Sequence, residues 1–247
     1  MTPVRHHLPA PPSLPNLLAQ GGVSLFLDFD GTLIDLAGEP DAVTVPPQLP
    51  ARLEHLSNRL NGALALVTGR SIDNLERYLG NPMLHIAGSH GSNVRAPGGF
   101  TLCESNPLPL PVAEALAGYA AASGLLFERK AHGGALHYRA RPELGADAID
   151  FAAKLANAHG LITKSGKCVI ELVWPGTDKG GAVTLLAARA PFAGATPVFI
   201  GDDITDEDGF TACAELGGFG IAVGGRLSAS ARFSLATVKD VHTWLEL

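Results

Sequence analysis

Two carboxylates stand one residue apart at the end of an apolar run in "SLFLDFDGTLIDL", Ser24 to Leu36. On an extended strand, residues two apart point to the same side, so Asp28 and Asp30 can both face whatever lies at the strand end. Close carboxylates repel and raise each other's proton affinity unless a cation or hydrogen-bond donors compensate. The pattern asks for a metal, and Mg2+ suits it, because it prefers hard oxygens and commonly takes one or two carboxylates with phosphate oxygens. Taken alone, "DFDGT" also reads as a turn, which Asp and Gly favour. Three further stretches carry it past that reading. "LVTGRS" sets Thr68 directly after a second apolar run, where its hydroxyl could donate to a phosphate oxygen. "GTDKGGAV" sets Lys179 in the first turn of a helix, against the helix dipole, a cost that makes sense if the lysine serves an anion. "FIGDDITDED" ends another apolar run with Asp202 and Asp203. For Asp206, Glu207 and Asp208 a simpler reading competes: after a Thr205 cap, acids in a first helical turn favour the dipole. Asp202 therefore ranks above Asp206 as a site residue.

The elements that must position these groups alternate. Apolar runs at Val23–Phe29, Ala63–Val67, Met83–Gly88, Pro197–Gly201 and Gly218–Val223 read as strands buried on both faces. Helical spacing follows at Leu49, Leu53, Leu56 and Leu60, after Lys179, and from Asp206. Strand and helix in alternation predict an α/β core, a Rossmann-like parallel sheet covered on both sides with ligands at its C-terminal strand ends. The middle of the chain breaks the pattern. Helix (Val112 to Ser123), strand (Leu125 to Lys130), strand (Ala135 to Arg141), helix (Leu144 to His159) and two closing strands predict an inserted α+β domain, an antiparallel sheet with two helices on one face. The boundaries expected are a loose Pro-rich leader over 1–20, a core of 21–108 and 177–247, and the insert over 109–176.

Composition narrows the function classes. A formal net charge of -6 over 247 residues argues against broad nucleic-acid binding, which leans on clustered Lys and Arg. Cys103, Cys168 and Cys213 form no CxxC pair and are odd in number, so neither a disulfide framework nor a zinc knuckle is indicated and a reducing, cytoplasmic setting is expected. The longest uncharged, mostly apolar stretch, Ala115 to Phe127, is too short for a membrane span of about 20 residues.

"DFDGTL", "TGR", the lysine of "DKGG" and "GDDITDED" together resemble the four ordered motifs of the haloacid-dehalogenase-like (HAD) superfamily of phosphotransferases. Within it, "GSHGSNVR", "ERKAHGGALHYR" and "GKCVIELVWPGTDKG" are similar to trehalose-6-phosphate phosphatases across nearly the whole chain, the leader excepted. The resemblance implies Mg2+-dependent hydrolysis of trehalose 6-phosphate through an aspartyl-phosphate. It casts Asp28 as nucleophile and Asp30 as general acid and base. The metal would be held by the carboxylates of Asp28 and Asp202 and the main-chain carbonyl of Asp30, with Asp203 and Asp206 as candidates for holding metal waters. Thr32, Thr68 and Lys179 would contact phosphoryl oxygens, and Arg70, His90 and Asn93 would reach the substrate from the core, with Ser89 and Arg95 weaker candidates. Glu128, Lys130, Arg139, Lys167 and Glu171 of the insert would read the distal sugar.

Residue alternation in the insert agrees in sense, with Glu128 and Lys130, His137 and Arg139, and Lys167 and Glu171 sharing faces, while Phe127, Leu136, Tyr138, Cys168, Ile170 and Leu172 point the other way. A charged sheet face is ordinarily a solvated one. Set over an active site, mixed acids and bases suit a polyhydroxylated sugar, whose hydroxyls both donate and accept. Two competitors stay open: a phosphatase of another sugar phosphate, such as sucrose or a hexose phosphate, and a non-catalytic binding module of the same fold. A separate synthase is expected upstream.

Overall fold

The computed structural model of the protein describes residues 8–36, 43–166 and 168–247. They form two compact units, one of Met1–Cys103 with Asp178–Leu247 and the other of Glu104–Thr177.

The first unit begins with α1 (Leu14–Gln20), then β1 (Val23–Leu27), α2 (Leu49–Arg59), β2 (Leu64–Val67), α3 (Ile72–Leu79), β3 (His85–Gly88), β4 (Asn93–Arg95) and β5 (Thr101–Glu104). The second unit holds α4 (Leu110–Ser123), β6 (Leu126–Lys130), β7 (Gly133–His137), α5 (Gly145–Ala158), β8 (Ile162–Gly166) and β9 (Val169–Val173). The chain then returns to the first unit with α6 (Lys179–Ala187), β10 (Thr196–Gly201), α7 (Glu207–Glu215), β11 (Phe219–Val223), β12 (Phe233–Leu235) and α8 (Val238–Leu245).

Eight strands make the first sheet, in the order β12-β11-β10-β1-β2-β3-β4-β5. Every pair from β12 to β3 is parallel, and β4 runs antiparallel to β3. All residues of β1, β2, β3 and β11 are buried, as continuous apolar runs require when helices cover both faces. Phe26, Phe199 and Phe210 are fully enclosed in that core, each worth about 2–3 kcal/mol of apolar burial. β1 lies between β10 and β2, so the chain leaves it in opposite directions and a crevice opens at its C-terminal end. Asp28 extends that ladder by one bond, its N–H donating to the Ile200 carbonyl at 2.9 Å.

The second sheet is antiparallel, in the order β6-β7-β9-β8. Leu136, Ile170 and Leu172 pack with Val112 and Leu116 of α4 and Ala152 and Ala156 of α5. The opposite side carries the line Glu128, Ala135, Glu171 and Lys164, paired strand to strand. One expected strand is shorter than its sequence suggested. β7 stops at His137, and Arg139 sits in a turn closed by Arg141 N–H on the Tyr138 carbonyl at 3.1 Å, so strand alternation does not reach Arg139.

The loose leader is corrected for residues 8–20. Ser234 N–H and Oγ–H donate to the Pro9 and Leu8 carbonyls, both at 3.0 Å, and Trp244 Nε1–H donates to Pro12 at 2.8 Å. Leu14 is fully buried at the start of α1. Proline removes a donor and keeps an acceptor, which is all these contacts need. Residues 1–7 lie outside the described residues.

Candidate active site

Three of the parallel strands deliver the acidic and hydroxyl groups. Asp28 follows β1, Thr68 follows β2 and Asp202 follows β10, all at C-terminal strand ends, and Lys179 is the first residue of α6. Asp178 caps that helix by accepting Gly181 N–H at 2.7 Å, which fixes the turn carrying the lysine. Lys179 is buried, and its Nζ donates to Asp28 Oδ1 at 2.7 Å and to Asp206 Oδ1 at 2.6 Å. Thr32, also buried, donates to Asp28 Oδ2 at 3.5 Å.

Ligand oxygens of Asp28, Asp202 and Asp206 lie within 4.8 Å of one another. With all three ionised and one ammonium among them, the cluster carries three negative charges and one positive, a net of -2. The proton affinities register that excess. Burial pushes Asp28 up to about 7, with Lys179 opposing and Asp206 and Asp202 adding to the rise. Burial, then Asp206 and Asp203, push Asp202 up to about 6, and burial also raises Asp206. Burial alone would lower Lys179, but Asp28 and Asp206 more than reverse it, so the ammonium is held charged. A divalent cation with hard-oxygen preference would cancel the surplus, so the donor set fits Mg2+. Gly31 makes room for it. It has a φ of 76°, and a Cβ there would fall 2.2 Å from Asp202 Oδ2.

Asp206 differs from what its place in the sequence suggested. Thr205 does not cap. The one-turn helix Ile204–Asp206 is capped by Asp203, in a reciprocal box where Asp206 Oδ2 accepts Asp203 N–H at 2.8 Å. Asp206 is fully buried rather than a surface acid favouring a dipole. Its two oxygens are committed to Lys179 and to Asp203 N–H, which makes it the organiser of the loop. Both it and Asp202 stay within ligand distance of Asp28.

Asp30 is not in the three-acid cluster. β1 ends at Leu27, and the chain turns, with Leu33 and Ile34 N–H donating to the Phe29 carbonyl, so strand alternation does not carry Asp28 and Asp30 to a common side. The Asp30 carboxylate takes both arms of the Arg70 guanidinium, Nε to Oδ2 and Nη2 to Oδ1, each at 2.6 Å. Arg70 also donates to Asn74 Oδ1 at 2.8 Å and stacks near Tyr78 and Phe29. The structure thus places Arg70 on Asp30 as its holder. Thr68 Oγ1 accepts Arg70 N–H at 3.2 Å.

The "GSHG" turn is laced to the same loop: Ser89 N–H donates to the Arg70 carbonyl at 2.7 Å and His90 N–H to the Thr68 carbonyl at 2.9 Å. Ser89 and His90 both take positive φ, and the His90 ring lies over Gly69, where a Cβ would come within 2.7 Å of it. Asn93 keeps a buried Oδ1 with no partner among the described residues, and Arg95 turns away to Glu76 and Asp73.

In the second unit Lys130 pairs with Glu171, and His137 Nε2 meets Glu128 Oε2 at 2.8 Å. Arg139 is exposed, and Lys167 lies outside the described residues. Lys164, on the Glu128–Glu171 line, went unnoticed in the sequence, though its position two before Gly166 puts it in strand register with Glu171. Arg226 was missed altogether: it binds the Asp202 and Asp203 carbonyls at 3.1 and 2.9 Å, and main-chain acceptors leave no signal in sequence.

A model of the trehalose-phosphatase family matches residues 26–237. The chain is 42% identical over 212 residues to the protein named "Probable trehalose-phosphate phosphatase" of Sinorhizobium fredii, covering 84% of this chain and 80% of that one. It is 36% identical over 230 residues to trehalose-6-phosphate phosphatase of Escherichia coli, covering 90% and 85%. Aspergillus fumigatus trehalose-6-phosphate phosphatase superimposes with a TM-score of 0.81 at 24% identity, covering 97% of each chain. A phosphatase of the haloalkanoate (HAD) superfamily from Bacteroides thetaiotaomicron gives 0.68 at 14% identity, covering 100% of this chain and 97% of that one. These two likenesses show the fold, a HAD-type parallel-sheet unit and a separate α+β unit with an antiparallel sheet.

Proposed function

Because the chain belongs to the trehalose-phosphatase family, we propose that it hydrolyses trehalose 6-phosphate to trehalose and phosphate through an aspartyl-phosphate on Asp28. The observation that carries the reading is the buried Asp28 carboxylate, held by Lys179 at the switch point of the parallel sheet beside Asp202.

An Asp28 oxygen attacks phosphorus as the bond to the sugar oxygen breaks, and Asp30 gives that oxygen a proton, since a sugar alkoxide leaves poorly. Water then attacks the phosphoryl group, Asp30 takes its proton, and the Asp28 carboxylate is released with phosphate. Thr68 and Lys179 neutralise and orient phosphoryl oxygens, work that in phosphoryl transfer is mainly positioning and charge. Asp28, Asp202 and the main-chain carbonyl of Asp30 would hold Mg2+, which supplies positive charge where negative charge develops. Arg70 holds both oxygens of the Asp30 carboxylate in the substrate-free protein, so one of them must leave the guanidinium for Asp30 to carry the proton that it donates. His90 and Asn93 would meet the substrate from the core, while Glu128, Lys130, Arg139, Lys167 and Glu171 would take the sugar hydroxyls. In the free protein Lys130 pairs with Glu171 and Glu128 meets His137, contacts that hold three of these five side chains in place.

Among the described residues no helix is long and apolar enough to cross a membrane. Phosphate release from trehalose 6-phosphate, with and without Mg2+ and beside sucrose and glucose phosphates, tests the proposal. Release that needs Mg2+ and favours trehalose 6-phosphate is expected. No release from trehalose 6-phosphate under any condition overturns it.

A further inference from the structure

The loop after β10 packs Asp202, Asp203 and Asp206 into five residues, and such a loop tends to open by self-repulsion unless its backbone is held. Lys179 and the reciprocal cap hold it from within. From the other side it is held by one guanidinium. Arg226, in the connection between β11 and β12, donates Nε–H to the Asp202 carbonyl at 3.1 Å and Nη2–H to the Asp203 carbonyl at 2.9 Å. Nη2 also pairs with Glu207 Oε1 at 2.6 Å, and Nη1 donates to the Leu227 carbonyl at 3.0 Å. Glu207 in turn accepts Ser230 N–H on Oε2 at 2.9 Å, so the acid that aims the guanidinium is itself held by the same β11–β12 connection.

Two successive carbonyls on one planar fork fix the peptide planes on both sides of Asp203. With those planes set, the direction in which Asp202 leaves the backbone is set as well, towards Gly31 and Asp28. A lysine could not reproduce this, because a single ammonium lacks the rigid, divergent donors.

We propose that Arg226, aimed by Glu207, is a positioning residue for the divalent-cation site: it touches neither ion nor substrate and sets the Asp202 carboxylate through the main chain. The inference rests on the Mg2+ reading above. Charge and geometry predict opposite signs, which makes it testable. A cationic side chain near a cation site weakens binding electrostatically, so its removal would tighten binding if charge alone mattered. Loss of positioning loosens it, and partners behind a metal ligand typically matter by about 10–100-fold in affinity.

The experiment measures Mn2+ and Mg2+ dissociation constants by calorimetry on the wild type, Arg226→Gln, Arg226→Lys, Glu207→Gln and the Arg226→Gln/Glu207→Gln pair. Each Arg226 variant should bind about tenfold or more weakly, with the pair no weaker than the worse single change. The Mg2+ activation constant should rise in step, with kcat at saturating Mg2+ changing less. If Arg226→Gln does not fold, Arg226→Lys, which keeps the positive charge and loses the planar fork, reads the same constant. A wild type that binds neither cation refutes the Mg2+ reading itself. A wild type that binds, with variants unchanged or tighter, overturns the role of Arg226 and leaves that reading standing.

Discussion

Asp28→Asn should stabilise the metal-free protein while destroying its chemistry. Burial, opposed by Lys179 and reinforced by Asp206 and Asp202, raises Asp28 from 3.8 to about 7. A carboxyl that binds its proton more tightly folded than unfolded contributes stability that is full below about pH 4 and is lost as the pH climbs through about 7. At about 1.4 kcal/mol per pH unit, that interval sets a ceiling of about 4 kcal/mol. Asp206 shares the same lysine, so part of the effect belongs to the pair, and about 2 kcal/mol is the expected gain. Asparagine keeps the shape and an oxygen that can accept from Lys179, and it drops the buried charge. Urea unfolding in EDTA, followed by tryptophan fluorescence, should show the variant and wild type nearly equal at pH 4.5 and the variant more stable at pH 8. Mg2+ should narrow or reverse the gap at pH 8, because a ligand of the folded state stabilises only the protein that binds it. A variant equal to or less stable than wild type at pH 8 in EDTA would refute the argument that an uncompensated buried charge strains this site.

Gly31→Ala combines a φ of 76° with a methyl group 2.2 Å from Asp202 Oδ2, so calorimetry should find cation binding lost while circular dichroism stays near wild type. Arg70→Gln frees Asp30 from a bidentate partner, and kcat on trehalose 6-phosphate should fall by about 10-fold or more, with a smaller loss on 4-nitrophenyl phosphate, whose leaving group needs no proton. Equal losses on the two would show Arg70 to be only structural. Lys130→Ala should raise KM for trehalose 6-phosphate and spare the small aryl ester, since it breaks the Glu171 pair in the second sheet and leaves the core intact. Phe199→Ala, in the fully buried centre of β10, should cost about 3–5 kcal/mol in urea unfolding.

What could be read in the sequence was whatever leaves a local mark. Continuous apolar runs announced β1, β2, β10 and β11, and the residues just past them carried the chemistry, because a parallel sheet brings its C-terminal ends to one rim. The Lys179–Asp206 contact left no mark, because a first-turn acid looks the same whether it faces water or a buried lysine contributed 27 positions earlier. Asp30 and Arg70 were read separately, though they are one unit, since an ion pair between residues 40 apart has no spacing rule. β4, β5 and β12 are too short to show a period, and Arg226 works through carbonyls that any residue would present.

The segment Leu8–Pro12 lying along β12 has a practical consequence for handling the protein. It lays proline-rich chain against the outermost strand of the parallel side, where a foreign strand would otherwise add. Trimming those residues to tidy an expression clone should leave catalysis alone and turn a quiet rim adhesive, visible as light scattering that grows with concentration.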